Sequence, residues 1–296
     1  MNDDLTLLSI GGATKHIKSI EKSISDYMLY NNQNVITVNV QQLPEYQNLC
    51  QNLNIITYTP NKKYKYPIFT KDEINDLIDW IYNIFVKPCA IIDTNYFILA
   101  EPDSMFFKTI DNSYNKNNID IYCPDNLTDL KVTWLFFNTF MKLGENDTIR
   151  LENFRKFYSD LNDVCKKINI DLDAAAKNDM RTCFGANSIV KTKKIHETFI
   201  DRKKDVVYLI QQIINLTEKY KPSNHLLYYN NQQSLLYYET WEIISIICGI
   251  FSFSWKVNPN CISTLPEIKT QQNLQNLLTK YPNLESLHSC KIYYDN

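Results

Sequence analysis

Four short apolar runs alternate with amphipathic segments over the first third of the chain, and this alternation limits the fold more than any other feature. "LTLLSIGG" ends on Gly11 and Gly12, and Ile17, Ile20, Ile24 and Met28 then recur at helical spacing between Thr14 and Tyr30. "NVITVNV" (Asn34 to Val40) and "NIITYTP" (Asn54 to Pro60) carry β-branched residues and read as strands. "TKDEINDLIDWIYNIF" opens with Thr70 and Glu73 at the spacing of a capping box and places Ile74, Leu77, Ile78 and Ile81 on one face. Pro88 is expected to stop that helix, because proline cannot donate to the preceding turn. "YFILA" (Tyr96 to Ala100) is the next buried strand. Strands alternating with helices predict an α/β fold with a central, mostly parallel sheet flanked by helices. Ligands of such sheets bind beyond the carboxyl ends of the strands.

The remaining two thirds are less regular. A strand is expected at Ile119 to Cys123, a helix at Leu151 to Ile168 and a strand at Cys183 to Val190. A helix from Asp205 to Lys219 carries Val206, Leu209, Ile210, Ile213 and Ile214, and another covers "YYETWEIISIIC". No repeat or linker interrupts the chain, so one continuous domain over residues 1–296 is expected. Its 44% hydrophobic content suffices for a large core.

The net charge of −2 offers no general attraction to nucleic acid. The acidic start "MNDD" does not resemble a signal peptide. The longest apolar run, Ile243 to Phe251, is too short to span a bilayer, so no transmembrane segment and a cytoplasmic location are expected. The eight cysteines include no CxxC pair and read as free thiols. Abundant Asn, Ile, Lys and Tyr beside only five glycines points to an AT-rich genome, as in a protist or a large DNA virus.

The glycine pair in "GGATKH" lacks the spacing of a Walker loop or a dinucleotide fingerprint. Its local pattern favours a tight strand-to-helix turn. Gly11, Gly12 and Lys15 are nevertheless the candidates for cofactor contacts there. The four histidines, His16, His196, His225 and His288, stand in no nucleophile motif.

The strand "YFILA" runs straight into Glu101-Pro102-Asp103. Carboxylates at i and i+2 of an extended segment share a side, and the proline between them limits the conformations to be lost on fixing them. Hard oxygen ligands of this kind suit Mg²⁺ or Mn²⁺. A polar strand exit is the alternative, and the three residues by themselves favour it.

The wider segment tips the balance toward a metal site. "NYFILAEPDSMFFKTIDN" (Asn95 to Asn112) resembles the metal-binding segment of the hydroxyproline O-arabinosyltransferase family through Ala100, Glu101, Pro102, Asp103, Lys108, Ile110 and Asn112. Tyr66-Pro67 followed by an amphipathic helix with Trp80 is also similar, although "FTKDE" replaces the family's Asn-Arg/Lys-Pro. Glu239 in "YYETWEIISIICGI" and His288 in "ESLHSCKIYYD" match more weakly, and the family's glycine after the histidine is missing. The close match covers Tyr66 to Asn112.

The resemblance implies a GT-A-like, Rossmann-type sheet and a metal-dependent glycosyltransferase using Mn²⁺ or Mg²⁺. Glu101 and Asp103 would be metal ligands, with His288 returning to the same ion. It implies a nucleotide-sugar donor, expected to be a UDP-sugar, and a glycan or protein acceptor. Residues 1–112 would form the donor and metal half, and residues 113–296 the acceptor half with a closing C-terminal segment. Glu239 is the candidate general base, with Glu242 three residues on. Both also read as ordinary helix-start acids. Trp134, Tyr237, Tyr238 and Trp241 could stack on sugar rings, and core packing is the simpler reading of each. Two other functions fit the same features: a nucleotidyltransferase making nucleotide-sugars, and a glycosyltransferase-like interaction protein without catalysis.

Overall fold

The computed structural model describes residues 4–11, 13–64, 68–126, 148–177, 185–220 and 237–293. Its first five strands are β1 (Leu5–Gly11), β2 (Val35–Asn39), β3 (Ile56–Tyr58), β4 (Ile68–Thr70) and β5 (Tyr96–Ala100). Then come β6 (Met105–Phe106), β7 (Ile121–Asn126), β8 (Ile189–Lys191), β9 (Tyr237–Glu239), β10 (Trp255–Ile268) and β11 (Ser286–Cys290). Nine of them form one sheet in the order β3-β2-β1-β5-β8-β7-β10-β11-β6, while β4 and β9 pair as a separate ribbon. The sheet is mostly parallel. Only β8, against β5 and β7, and β6, against β11, run antiparallel.

Side-chain alternation along the inner strands buries both faces. Leu8, Ile10, Phe97 and Leu99 pack on one side with Phe85, Phe157, Ile210 and Ile247 from helices. Leu5, Leu7, Ile98 and Ala100 pack on the other with Ile20, Ile24 and Tyr27 of the Ile17–Tyr30 helix. This is the flanked sheet expected from the alternation, because a strand buried on both faces must be apolar at successive positions. The seven described cysteines are free and buried. No helix among the described residues is long and apolar enough to cross a membrane.

Two local readings need correction, and a third stretch escaped the sequence pattern. Pro88 does not end its helix. The segment passes from Ile74–Trp80 through a π-helical turn, Ile81–Val86, into Lys87–Cys89. The wider π turn changes the carbonyl partners along this stretch, so a residue without an N–H is tolerated in the last turn. Tyr237–Glu239 is a strand rather than helix start, since it pairs with Ile68–Thr70, and the helix begins at Thr240. "WKVNPNCIS" is part of the long strand β10, whose register with β7 shifts between Asn258 and Ile262. Pro259 falls inside that shift, where a missing donor breaks no ladder bond.

Candidate functional site

The chain runs from β1 outward to β2 and β3, then returns to place β5 on the other side of β1. Between β1 and β5 the strand order therefore reverses, and the crevice of an open α/β sheet lies at such a point, beyond the strand carboxyl ends. Two sequence features meet there. The turn after Gly11 leaves β1, and Glu101-Pro102-Asp103 leaves β5.

Backbone chemistry fixes the second turn. Ser104 N donates to the Glu101 carbonyl at 3.0 Å, and Glu101 N donates to Ser104 Oγ at 3.1 Å. Pro102 sits at the turn position whose φ it presets. The chain then enters β6, which pairs with β11 through Leu287↔Met105. Cys290 N at the end of β11 donates to the Asp103 carbonyl at 3.0 Å. In this way a strand from the far end of the sequence is bonded directly to the Glu-Pro-Asp turn.

That strand brings His288 to the two carboxylates. Its Nε2 lies 3.1 Å from Asp103 Oδ1 and 3.4 Å from Glu101 Oε2. Its Nδ1 lies 3.1 Å from Ser263 Oγ, and Ser263 is its register partner on β10. With Nδ1–H donating to the serine, Nε2 is directed at the carboxylates, as in histidines that ligate metals. Burial alone would lower the His288 pKa. Hydrogen bonds to Asp103 and Glu101 outweigh it and raise the value to about 10. A protonated His288 offsets one of the two carboxylate charges.

The same three side chains fit a divalent cation. One donor atom from each lies within 4.8 Å of the others. Neighbouring donors around a cation bound at about 2.1 Å are about 3 Å apart, close to the separations seen here. Two hard oxygens with one imidazole suit Mn²⁺ better than Mg²⁺, which prefers oxygen alone. Asp103 is the most buried of the three, while Glu101 and His288 keep an opening to solvent.

Glu239 caps the Thr240–Ile250 helix, accepting from Glu242 N at 2.9 Å. Burial raises its pKa to about 8. The Glu242 and Trp241 amides oppose that shift and the Glu101 carboxylate adds to it, which ties Glu239 electrostatically to the cluster. Burial followed by the charge of Glu239 also raises Glu242 to about 8. Glu242 Oε2 is buried and has no hydrogen-bond partner among the described residues.

The first turn is arranged differently from a phosphate loop. A Cβ on Gly11 would stand 2.3 Å from Tyr46 Cε2, so this glycine makes room for a buried ring from the Pro44–Asn52 helix. Gly12 lies outside the described residues. Lys15 is exposed in the short Thr14–His16 turn. Its neighbour His16, to which the sequence reading gave no role, is partly buried in the field of the site. Burial and then Lys15 lower its pKa, Asp103 raises it and Lys291 lowers it further. Ser263 and Lys291 were likewise not singled out.

Among the proposed stacking residues, Trp241 packs edge-on against Trp80 at 5.5 Å and Phe85 at 5.8 Å. Tyr238 is buried and donates to Glu218 Oε1 at 2.9 Å. Tyr238 belongs to the core, and Trp241 is partly buried against it. Tyr66, Pro67, Trp134 and the Tyr237 side chain lie outside what is described.

Solved structures similar to the chain at low sequence identity include a mannan synthase and a xylosyltransferase. Core-mannan synthase A of Aspergillus fumigatus, in its Mn/GDP form, is 12% identical with a TM-score of 0.44, over 86% of this chain and 73% of that one. Mouse xyloside xylosyltransferase 1, in its apo form, is 9% identical with a TM-score of 0.46, over 99% of each chain. No protein-family model matches the chain, and no curated protein does.

Proposed function

We propose that the protein is a metal-dependent glycosyltransferase of the GT-A type, moving a sugar from a nucleotide-diphosphate donor, a UDP-sugar, to a hydroxyl of a glycan or protein acceptor. The observation that carries this reading is the meeting of Glu101, Asp103 and His288 at the crevice where the strand order reverses. The resemblance of Tyr66 to Asn112 to the hydroxyproline O-arabinosyltransferases supports the donor class.

In this reading Glu101, Asp103 and His288 hold Mn²⁺ or Mg²⁺, which when bound supplies positive charge to the departing diphosphate. The Ser104 hydrogen bonds and Pro102 keep the Glu-Pro-Asp turn in one geometry, and Ser263 keeps His288 aimed, so little reorganisation accompanies donor binding. The turn carrying Gly11, Gly12 and Lys15 takes the nucleotide side, with His16 in the field of Asp103. Glu239 and Glu242 form the acceptor-side acid–base pair. A carboxyl raised to about 8 is a competent proton acceptor near neutral pH. Because Glu239 serves as the helix cap, the oxygen without a partner on Glu242 makes it the proton acceptor of the pair. Residues 1–112 form the donor side, and residues 113–296 supply the acceptor side and the closing strand that carries His288.

A donor screen tests this. The protein is incubated with Mn²⁺ or Mg²⁺ and a panel of nucleotide-sugars, and sugar release or transfer is followed. Consumption of one nucleotide-sugar only when a divalent cation is present is the expected result. Consumption of a nucleoside triphosphate with a sugar phosphate would instead indicate nucleotidyl transfer. Failure to bind any donor would leave an interaction role.

A further inference from the structure

Two π-helical turns meet in the core behind the buried acids. The Ile81–Val86 turn buries every one of its residues, and His196–Asp201 is a second turn of the same kind. Phe85 of the first packs edge-on against Phe199 of the second, with ring centroids 6.0 Å apart. His196 Nε2 lies 2.9 Å from the Cys89 carbonyl oxygen, which ties the two segments together again. Such turns are rare and concentrate at functional sites.

Phe85 touches both halves of the site. Its ring meets Phe97 at 6.3 Å, on the strand that runs into Glu101. It also meets Trp241 edge-on at 5.8 Å, and Trp241 meets Trp80 at 5.5 Å. Trp241 stands between Glu239, the helix cap, and Glu242 in the first turn. One ring therefore joins the strand that ends in the cation cluster to the helix start that carries both acids. Polar contacts hold that helix start less completely. Thr240 Oγ1, Glu242 Oε2 and Trp80 Nε1 are buried without a hydrogen-bond partner among the described residues. Unpaired buried groups cost stability rather than supply it, so the placement of Glu242 depends on how Trp241 is packed.

We propose that Phe85 is a positioning residue: aimed by the paired π turns, it holds Trp241, and through it Glu242, at a fixed separation from the Glu101 and Asp103 carboxylates. The role of Glu242 as proton acceptor rests on the glycosyltransferase reading; the bracing rests on the ring contacts. Of the charged groups around it, Glu239 acts on Glu242, and Glu101 acts on Glu239. A slackened helix start would let water reach Glu242 and bring its titration back toward that of an ordinary carboxyl.

The test compares wild type with Phe85→Leu and with Phe157→Leu. Phe157 is an equally buried ring of the same core that meets Tyr220 instead of Trp241. Thermal unfolding checks that each variant folds, and carbon-13 resonances of the glutamate carboxyls, assigned with Glu242→Gln, follow the Glu242 titration. Phe85→Leu should lower the pH at which Glu242 titrates, and Phe157→Leu should not. With the donor that wild type turns over, Phe85→Leu should reduce kcat about tenfold, as expected for a small misplacement of a reacting group, with Mn²⁺ affinity and donor KM unchanged. In a Glu242→Gln background the same substitution should remove nothing further from kcat. A Glu242 titration that Phe85→Leu leaves in place, or that Phe157→Leu moves equally, overturns the positioning role, and so does a full further loss of kcat in the Glu242→Gln background. If wild type turns over no nucleotide-sugar, the glycosyltransferase reading fails, and the Glu242 titration still decides the bracing.

Discussion

His288 Nε2 stands 3.1 Å from Asp103 Oδ1, joining the last strand of the sheet to the turn that leaves β5. The contact makes proton and cation competitors for one position. The His288 pKa is about 10 in the folded protein against an ordinary 6.5. Its stabilising effect in the cation-free protein is therefore complete below about pH 6.5 and disappears as pH rises through 10. A cation must displace that proton, so cation affinity should rise by up to about tenfold per pH unit below about pH 10. Titrations at several pH values check this, and His288→Ala should remove most of the slope.

Glu242 should lower stability with rising pH as His288 does, but over a lower range. A carboxyl raised to about 8 holds its proton longer when folded than when unfolded. Its contribution therefore falls as pH climbs from about 4.5 to 8. Glu242→Gln should flatten that part of the stability profile, as read by denaturant melts. In turnover assays the same variant should reduce kcat far more than donor affinity, and Glu239→Gln should reduce both kcat and helix stability because it weakens the cap. An unchanged kcat in Glu242→Gln would remove it from the chemistry.

Gly11→Ala should destabilise the fold by about 1–3 kcal/mol, the range for overpacking a filled site. The added methyl would meet the buried Tyr46 ring. If the cause is packing, Tyr46→Leu in the same chain should recover part of the loss. A fully additive double mutant in urea melts would place the cause elsewhere.

Thr70→Ala should cost about 1 kcal/mol. The Thr70 and Glu73 side chains close a reciprocal cap at the start of the Ile74–Trp80 helix, with Thr70 N donating to Glu73 Oε2 at 2.8 Å. Equilibrium unfolding measures this, and a loss below about 0.3 kcal/mol would show that tertiary packing alone holds the helix end.

The first third of the fold was legible because its strands and helices differ in period. Ile20 and Ile24 were readable as a helix face, and Phe97 and Leu99 as buried strand residues, without any partner being known. The reading broke down where a local signal was overruled from a distance. Tyr237 to Glu239 has helical neighbours and became a strand because β4 pairs with it. At the site, Glu101 and Asp103 stood out through their spacing around Pro102. Nothing local pointed to Ser263 or Lys291, which matter only once β10 and β11 lie side by side. Lys15 is the candidate in that turn, yet His16 is the member whose surroundings include Asp103 and Lys291.

The central claim is that Glu101, Asp103 and His288 hold one divalent cation between them, and Mn²⁺ titration followed by electron paramagnetic resonance tests it most directly. Wild-type protein near pH 8 should bind one Mn²⁺ per chain. Asp103→Asn and His288→Ala, both still folded by circular dichroism, should each weaken that binding at least about tenfold. Undiminished binding of one Mn²⁺ by both variants, or none by the wild type, would contradict the account.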